Sequence, residues 1–121
     1  MILLTFIEII SLLFCQNNKE QNDYYTMDLK EIINDPATFI VDVRTASEFE
    51  SGHVAGSINI PLHEIPERVD EFKAMAGTII VCCVSGGRSG QAAGFLGMHG
   101  VENIYNGGGW MDVNYLKSYA A

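Results

Sequence analysis

The chain has 121 residues, 48% of them hydrophobic, enough for one domain with a single core that needs no disulfide staples. Its 7 Lys and Arg against 15 Asp and Glu give a formal charge of −8, which excludes a surface built to hold nucleic acid or anionic lipid by neutralising phosphates. Three cysteines, two of them adjacent, argue against a disulfide framework and leave at least one free thiol.

The first fourteen residues, MILLTFIEIISLLF, form an apolar run that stops at Cys15 and the polar stretch CQNNKEQND. The run is shorter than the roughly 20 residues that cross a membrane, and it suits the apolar core of an export signal. LLFC is similar to a bacterial lipoprotein signal, in which the cysteine is acylated. It departs from that pattern because Phe14 stands where a small residue is expected and no Lys or Arg precedes the run. Residues 1–22 are therefore expected to be a signal- or lipoprotein-like segment with a polar tether, and residues 23–121 the folded domain. The location this implies is exported, either periplasmic or tethered to a membrane through residues 1–15. The alternatives are a retained anchor or an N-terminal helix packed on a cytoplasmic domain.

From Tyr24 onward short apolar strands alternate with helical stretches, the rhythm of an α/β domain with a mainly parallel sheet. Thr26 is placed to cap a helix through about Asn34, with Met27, Leu29, Ile32 and Ile33 on its apolar side and NDP as its stop. TFIVDV reads as a buried strand. Thr45 with Glu48 forms a capping box that starts a short helix ending at SGH, and a brief strand lies near SINI. In HEIPERVDEFKAM, Ile65, Val69, Phe72 and Met75 fall on one helical face, which makes Met75 a core residue. GTIIVCC is the next strand, a helix runs from Arg88 or Ser89 to a stop at Gly100, and VENIYN is a strand. Glycines 107–109 give a tight turn near the cysteine loop, and a short helix around MDVNYLKSY follows.

The stretch IVCCVSGGRSG carries the chemistry. It lies after a buried strand and before a helix, where open α/β sheets place their ligands. Ser85, Gly86 and Gly87 let backbone N–H groups turn inward as an anion-binding concavity, and the following helix adds the positive end of its dipole. A thiolate in such a nest is favoured over the thiol and is nucleophilic near neutral pH. Two registers compete. Counted from Cys82, five residues intervene before Arg88, the spacing of a cysteine phosphatase; counted from Cys83 there are four.

The segment VDVRTASEFESGHVAGSINIP, Val41 to Pro61, resembles the N-terminal signature of rhodanese-like domains, and IYNGGGWMDV is similar to the family's closing segment. The resemblance covers residues 25–117 and is closest in size to small, exported, phage-shock-type sulfurtransferases. It implies a three-layer α/β fold of about five mostly parallel strands with helices on both faces. It also selects the register, because CVSGGR fits the family's six-residue loop only with Cys83 first and Gly86 on the family glycine. Cys83 is then the nucleophile, and Val84, Ser85, Gly86, Gly87, Arg88 and Ser89 hold the substrate. Cys82 is a small buried residue on the opposite strand face. Val84 departs from the pattern, since many members carry Arg or Lys there, and thiosulfate as donor is weakened accordingly.

Asp42 and Arg44 match the family's Asp-x-Arg, which implies structural support of the loop. His53 is a turn or core histidine, Trp110 and Tyr105 are core, and no metal or cofactor is called for. The implied activity moves a sulfane sulfur from a small anionic donor such as thiosulfate, through a Cys83 persulfide, to a thiol or cyanide acceptor. The protein is read as a monomer with no nucleic-acid partner. Two other functions remain open. One is a phosphatase or arsenate reductase using Cys82, which would draw a leaving-group acid from Asp42, Glu48 or Asp112. The other is a non-catalytic rhodanese-like module that binds a partner or senses redox state.

Overall fold

A computed structural model of the chain describes residues 29–118; the apolar segment, Cys15 and the Thr26 cap fall outside the described residues. Strands β1 (Phe39–Asp42), β2 (Ile58–Asn59), β3 (Ile79–Cys83) and β4 (Ile104–Gly109) form one sheet of order β2-β1-β3-β4. Every pairing in it is parallel. These four strands, counted among the described residues, are the ones the apolar runs marked.

Parallel neighbours require crossovers, and the helices provide them on both faces. Helix α1, described over residues 29–34, packs on one face with α5 (Trp110–Ser118), through Ile33, Val113, Trp110 and Leu116 against Ile40, Ile80 and Cys82. The opposite face carries α3 (Val69–Lys73) and α4 (Gly87–Met98), whose Phe72, Ala92 and Leu96 meet Val41, Ile79, Val81 and Cys83. A short helix α2 (Ala46–Glu50) follows β1, and its capping box between Thr45 and Glu48 forms as expected.

Three elements differ from the sequence expectation. The single helix over residues 63–75 is two pieces, a 3-10 helix at Leu62–Glu67 followed by α3. Pro66 lies inside the first piece, has no N–H to extend an α-helix, and disfavours the α conformation at Ile65. The apolar face survives the break: Ile65 and Phe72 are buried, and Val69 and Met75 pack against them. Glycines 107–109 belong to β4 rather than to a turn. The ladder shifts register there, Val81 pairing with Asn106 and Cys82 with Gly108, so Gly107 is an extra, bulged residue. A Cβ on Gly107 would lie 2.6 Å from Ile80 Cγ2, which is why no larger residue fits. Finally, Tyr105 is 37% exposed and is no part of the core; His53, expected as a turn or core residue, is exposed and stacked on Phe49.

At the carboxyl end of β1 the chain buries an ion pair. Arg44 Nη2 donates to Asp42 Oδ2 at 2.7 Å and Nε donates to Oδ1 at 2.9 Å, with Asp42 fully buried. The remaining guanidinium donors reach the carbonyls of Glu48 (3.2 Å) and Gly52 (2.7 Å), and the Trp110 ring lies 4.7 Å from the Arg44 carbon Cζ. One side chain thereby joins β1, α2, the turn after it and α5. Replacing Arg44 by Met leaves the Asp42 carboxylate buried without a cation, and the expected loss is about 3–5 kcal/mol of unfolding free energy. Urea denaturation followed by circular dichroism measures it; Arg44→Lys should recover only part, because an ammonium cannot span all these acceptors.

Candidate active site

Strand β3 is buried at all five positions, so its side chains alternate between the two cores. Cys82 points to the α1/α5 side and Cys83 to the α3/α4 side, where the next helix begins. Both are free thiols. Only three residues, 84–86, separate β3 from α4, and Gly86 makes the reversal by adopting φ +97 as the helix N-cap. A Cβ there would be strained by the backbone and would sit 3.3 Å from Gly108 Cα. The helix starts at Gly87, just ahead of the expected Arg88 or Ser89.

This geometry aims the loop at one sulfur. The Gly86 N–H donates to Cys83 Sγ at 3.0 Å, and Ser89 Oγ lies 3.3 Å from the same atom. Burial alone would raise the Cys83 thiol. The Ser89 hydroxyl and the backbone N–H groups of Ser89, Gly86 and Ser85 outweigh it and bring the thiol down to about 7. Cys82 shows the other outcome: burial, reinforced by the Asp42 charge, pushes its thiol up to about 12. Two adjacent cysteines thus differ in kind, one able to ionise near neutrality and one held as a neutral core residue.

Asn106, which the sequence reading passed over, ties the site together. Its Nδ2 donates to the Gly86 carbonyl at 3.0 Å, and its Oδ1 accepts from Gly108 N–H at 3.0 Å and from Ser89 Oγ at 2.6 Å. Ser89 is fully buried and has one hydroxyl proton to share between Asn106 and Cys83. With Cys83 protonated, the thiol donates to Ser89 and Ser89 donates to Asn106. With Cys83 ionised, the hydroxyl can turn to the sulfur. An Asn before a glycine run, bonding its own backbone two residues on, was the available sequence signal.

Arg88 stands at the edge of the loop, but its fork is engaged. Nη1 donates to Glu48 Oε1 at 2.7 Å and Nη2 to Oε2 at 3.0 Å. The pairing with Arg88, followed by the Thr45 backbone bond, holds the Glu48 carboxyl down at about 2. Of the remaining expected site residues, Val84 is 56% exposed on the rim, Ser85 contributes its N–H, and Gly87 has open space around it. Asp42 and Arg44 lie behind the loop, bonded to each other. Beside Arg88 a recess of about 240 Å³ is lined by Val43, Thr45, Pro61, Leu62 and His63. A larger hollow of about 380 Å³, lined by Lys73, Met75 and Glu102 among others, includes the first residue of β3 and so lies at the other end of the strand from Cys83. Among the described residues no three His, Cys, Asp or Glu side chains are grouped to hold a metal ion.

The model of the rhodanese-like domain family matches residues 26–114. The thiosulfate sulfurtransferase PspE of Escherichia coli K12 is 38% identical over 78 residues, 64% of this chain and 75% of its own. The thiosulfate:glutathione sulfurtransferase of Saccharomyces cerevisiae is 31% identical over 102 residues, 73% of each chain. Among solved structures, a rhodanese with anions from E. coli shares 37% identity at a TM-score of 0.57, covering 62% of this chain and 89% of that one.

The hydrogen bonds around Cys83 set a pH expectation. Because its thiol is depressed, alkylation by iodoacetamide should rise with pH through a midpoint near 7, well below the ordinary cysteine value. Ser89→Ala removes one stabilising donor to the thiolate, and the midpoint should move up by about one unit. A midpoint that stays put or falls would mean that Asn106 keeps the Ser89 proton in both ionisation states.

Proposed function

Because this chain belongs to the rhodanese-like domain family, we propose that it is a sulfurtransferase whose nucleophile is Cys83. The observation that carries the reading is the contrast at the end of β3: Cys83 lies under loop N–H groups with its thiol near 7, while Cys82 lies in the opposite core with its thiol near 12. The names of the E. coli and yeast relatives, both thiosulfate sulfurtransferases, support the same reaction class.

In the first step the Cys83 thiolate attacks the outer sulfur of a sulfane-sulfur donor. With thiosulfate, a new S–S bond forms to Cys83, the donor's S–S bond breaks, and sulfite leaves with its electron pair. In the second step a thiol or cyanide acceptor takes the outer sulfur of the Cys83 persulfide, and the cysteine thiolate leaves. The loop supplies oriented N–H donors that hold negative charge on sulfur through both steps. No leaving-group acid is needed, because sulfite departs as an anion. Cys83 is only 1% exposed, so a donor must reach Sγ with something narrow, and a terminal sulfur atom suits that better than a tetrahedral phosphoryl group.

Incubation with thiosulfate followed by mass spectrometry should find one added sulfur, 32 Da, on the peptide carrying Cys83. Cys83→Ser should abolish both the adduct and sulfur transfer to cyanide, while Cys82→Ser keeps most of the activity. A Cys82→Ser protein that is inactive yet folded would transfer the nucleophile to Cys82 and revive the phosphatase register.

A further inference from the structure

Resting on the sulfurtransfer reading, we infer that Glu48 makes the loop selective for singly charged sulfane-sulfur donors over dianions such as thiosulfate. The cations that could receive a dianion are already matched. Both terminal nitrogens of Arg88 are bonded to the two oxygens of Glu48. Arg44 is committed to Asp42 in the buried pair. A third carboxylate lies close by, since a Cβ on Gly109 would be 2.7 Å from the Val84 carbonyl oxygen and 3.2 Å from Asp112 Oδ2. Val84, at the rim, is uncharged and 56% exposed.

Two guanidinium groups, Arg44 and Arg88, thus stand against three carboxylates, Asp42, Glu48 and Asp112. The remaining positive potential comes from the loop N–H groups and the start of α4, and those already serve the Cys83 thiolate. A donor with one negative charge meets a modest penalty there. A second charge meets it again, and the two guanidinium groups beside the loop are already paired with carboxylates. The Arg88–Glu48 pair is itself partly exposed, at 36% and 33%, so it opens at little cost, and Glu48 discriminates by charge rather than by blocking entry.

Glu48→Gln isolates the charge. The Thr45 N–H and hydroxyl bond Glu48 Oε1 at 3.2 and 3.1 Å, and a glutamine oxygen can accept both, so the capping box of α2 is kept. The matched donors are thiosulfate, a dianion, and methanethiosulfonate, a monoanion; each gives its outer sulfur to the Cys83 thiolate and leaves as sulfite or methanesulfinate. The readout is the ratio of kcat/KM for the two donors, measured at one pH for both proteins. Taking the same ratio in both proteins cancels the donors' intrinsic reactivities.

Relative to the native protein, Glu48→Gln should shift the ratio toward thiosulfate by at least about threefold at low salt, as expected for removing one unit charge near a partly solvated anion site. A smaller shift, or one toward methanethiosulfonate, overturns the role of Glu48 provided that mass spectrometry shows the Cys83 persulfide forming from both donors. If neither donor yields that persulfide in either protein, the sulfurtransfer reading fails and takes this inference with it.

Discussion

A strand buried on both faces cannot send two neighbouring side chains the same way, and much of this site follows from that constraint. β3 ends in Cys82 and Cys83, and alternation delivers one thiol to each core. On the α1/α5 side burial disfavours a thiolate and the Asp42 charge opposes it, which the Arg44 charge does not outweigh. On the α3/α4 side the strand ends where α4 begins, and the sulfur meets the N–H groups that a helix start leaves unpaired. The difference between the two cysteines is therefore a property of strand geometry before it is a property of any particular neighbour.

The short connection makes the cradle rigid. Three residues turn the chain from strand to helix only with Gly86 in a left-handed conformation, and they leave room for β4 to come close only because that strand is glycine from 107 to 109. A Cβ on Gly109 would lie 2.7 Å from the Val84 carbonyl oxygen, inside any normal contact. Asn106 then fastens the approach by bonding the Gly86 carbonyl, the Gly108 N–H and Ser89 at once. The loop amides are fixed before substrate arrives, which is what electrostatic stabilisation of a developing anion requires.

Local features were legible in the sequence to the extent that their causes are local. The strand TFIVDV and the Thr45–Glu48 capping box each depend on residues close in the chain, and each is found in place. The break at Pro66 was also written there, but the regular spacing of Ile65, Val69, Phe72 and Met75 masked it, because a 3-10 turn followed by a helix buries the same residues. The bulge at Gly107 was hidden for another reason: an extra residue in a ladder is defined by its partner strand, about twenty-five positions earlier. Glu48 and Arg88 are 40 residues apart, and Glu48 already had a complete local role as a capping residue. No single-chain pattern says that its carboxylate also faces the loop.

Two arginines near the loop use the same fork for opposite ends, and burial decides which. Arg44 is 4% exposed and its acid is fully buried, so separating the pair would strand a charge in the core; this pair fixes how β1, α2 and α5 meet. Arg88 and Glu48 sit at the surface, where water can replace either partner and the pair holds its geometry only loosely. A rigid scaffold around Cys83 and an adjustable charge at its edge are consequently supplied by one type of interaction at two depths. The inner pair can be altered only at the cost of the fold, whereas the outer pair can be altered to change which donors the loop accepts.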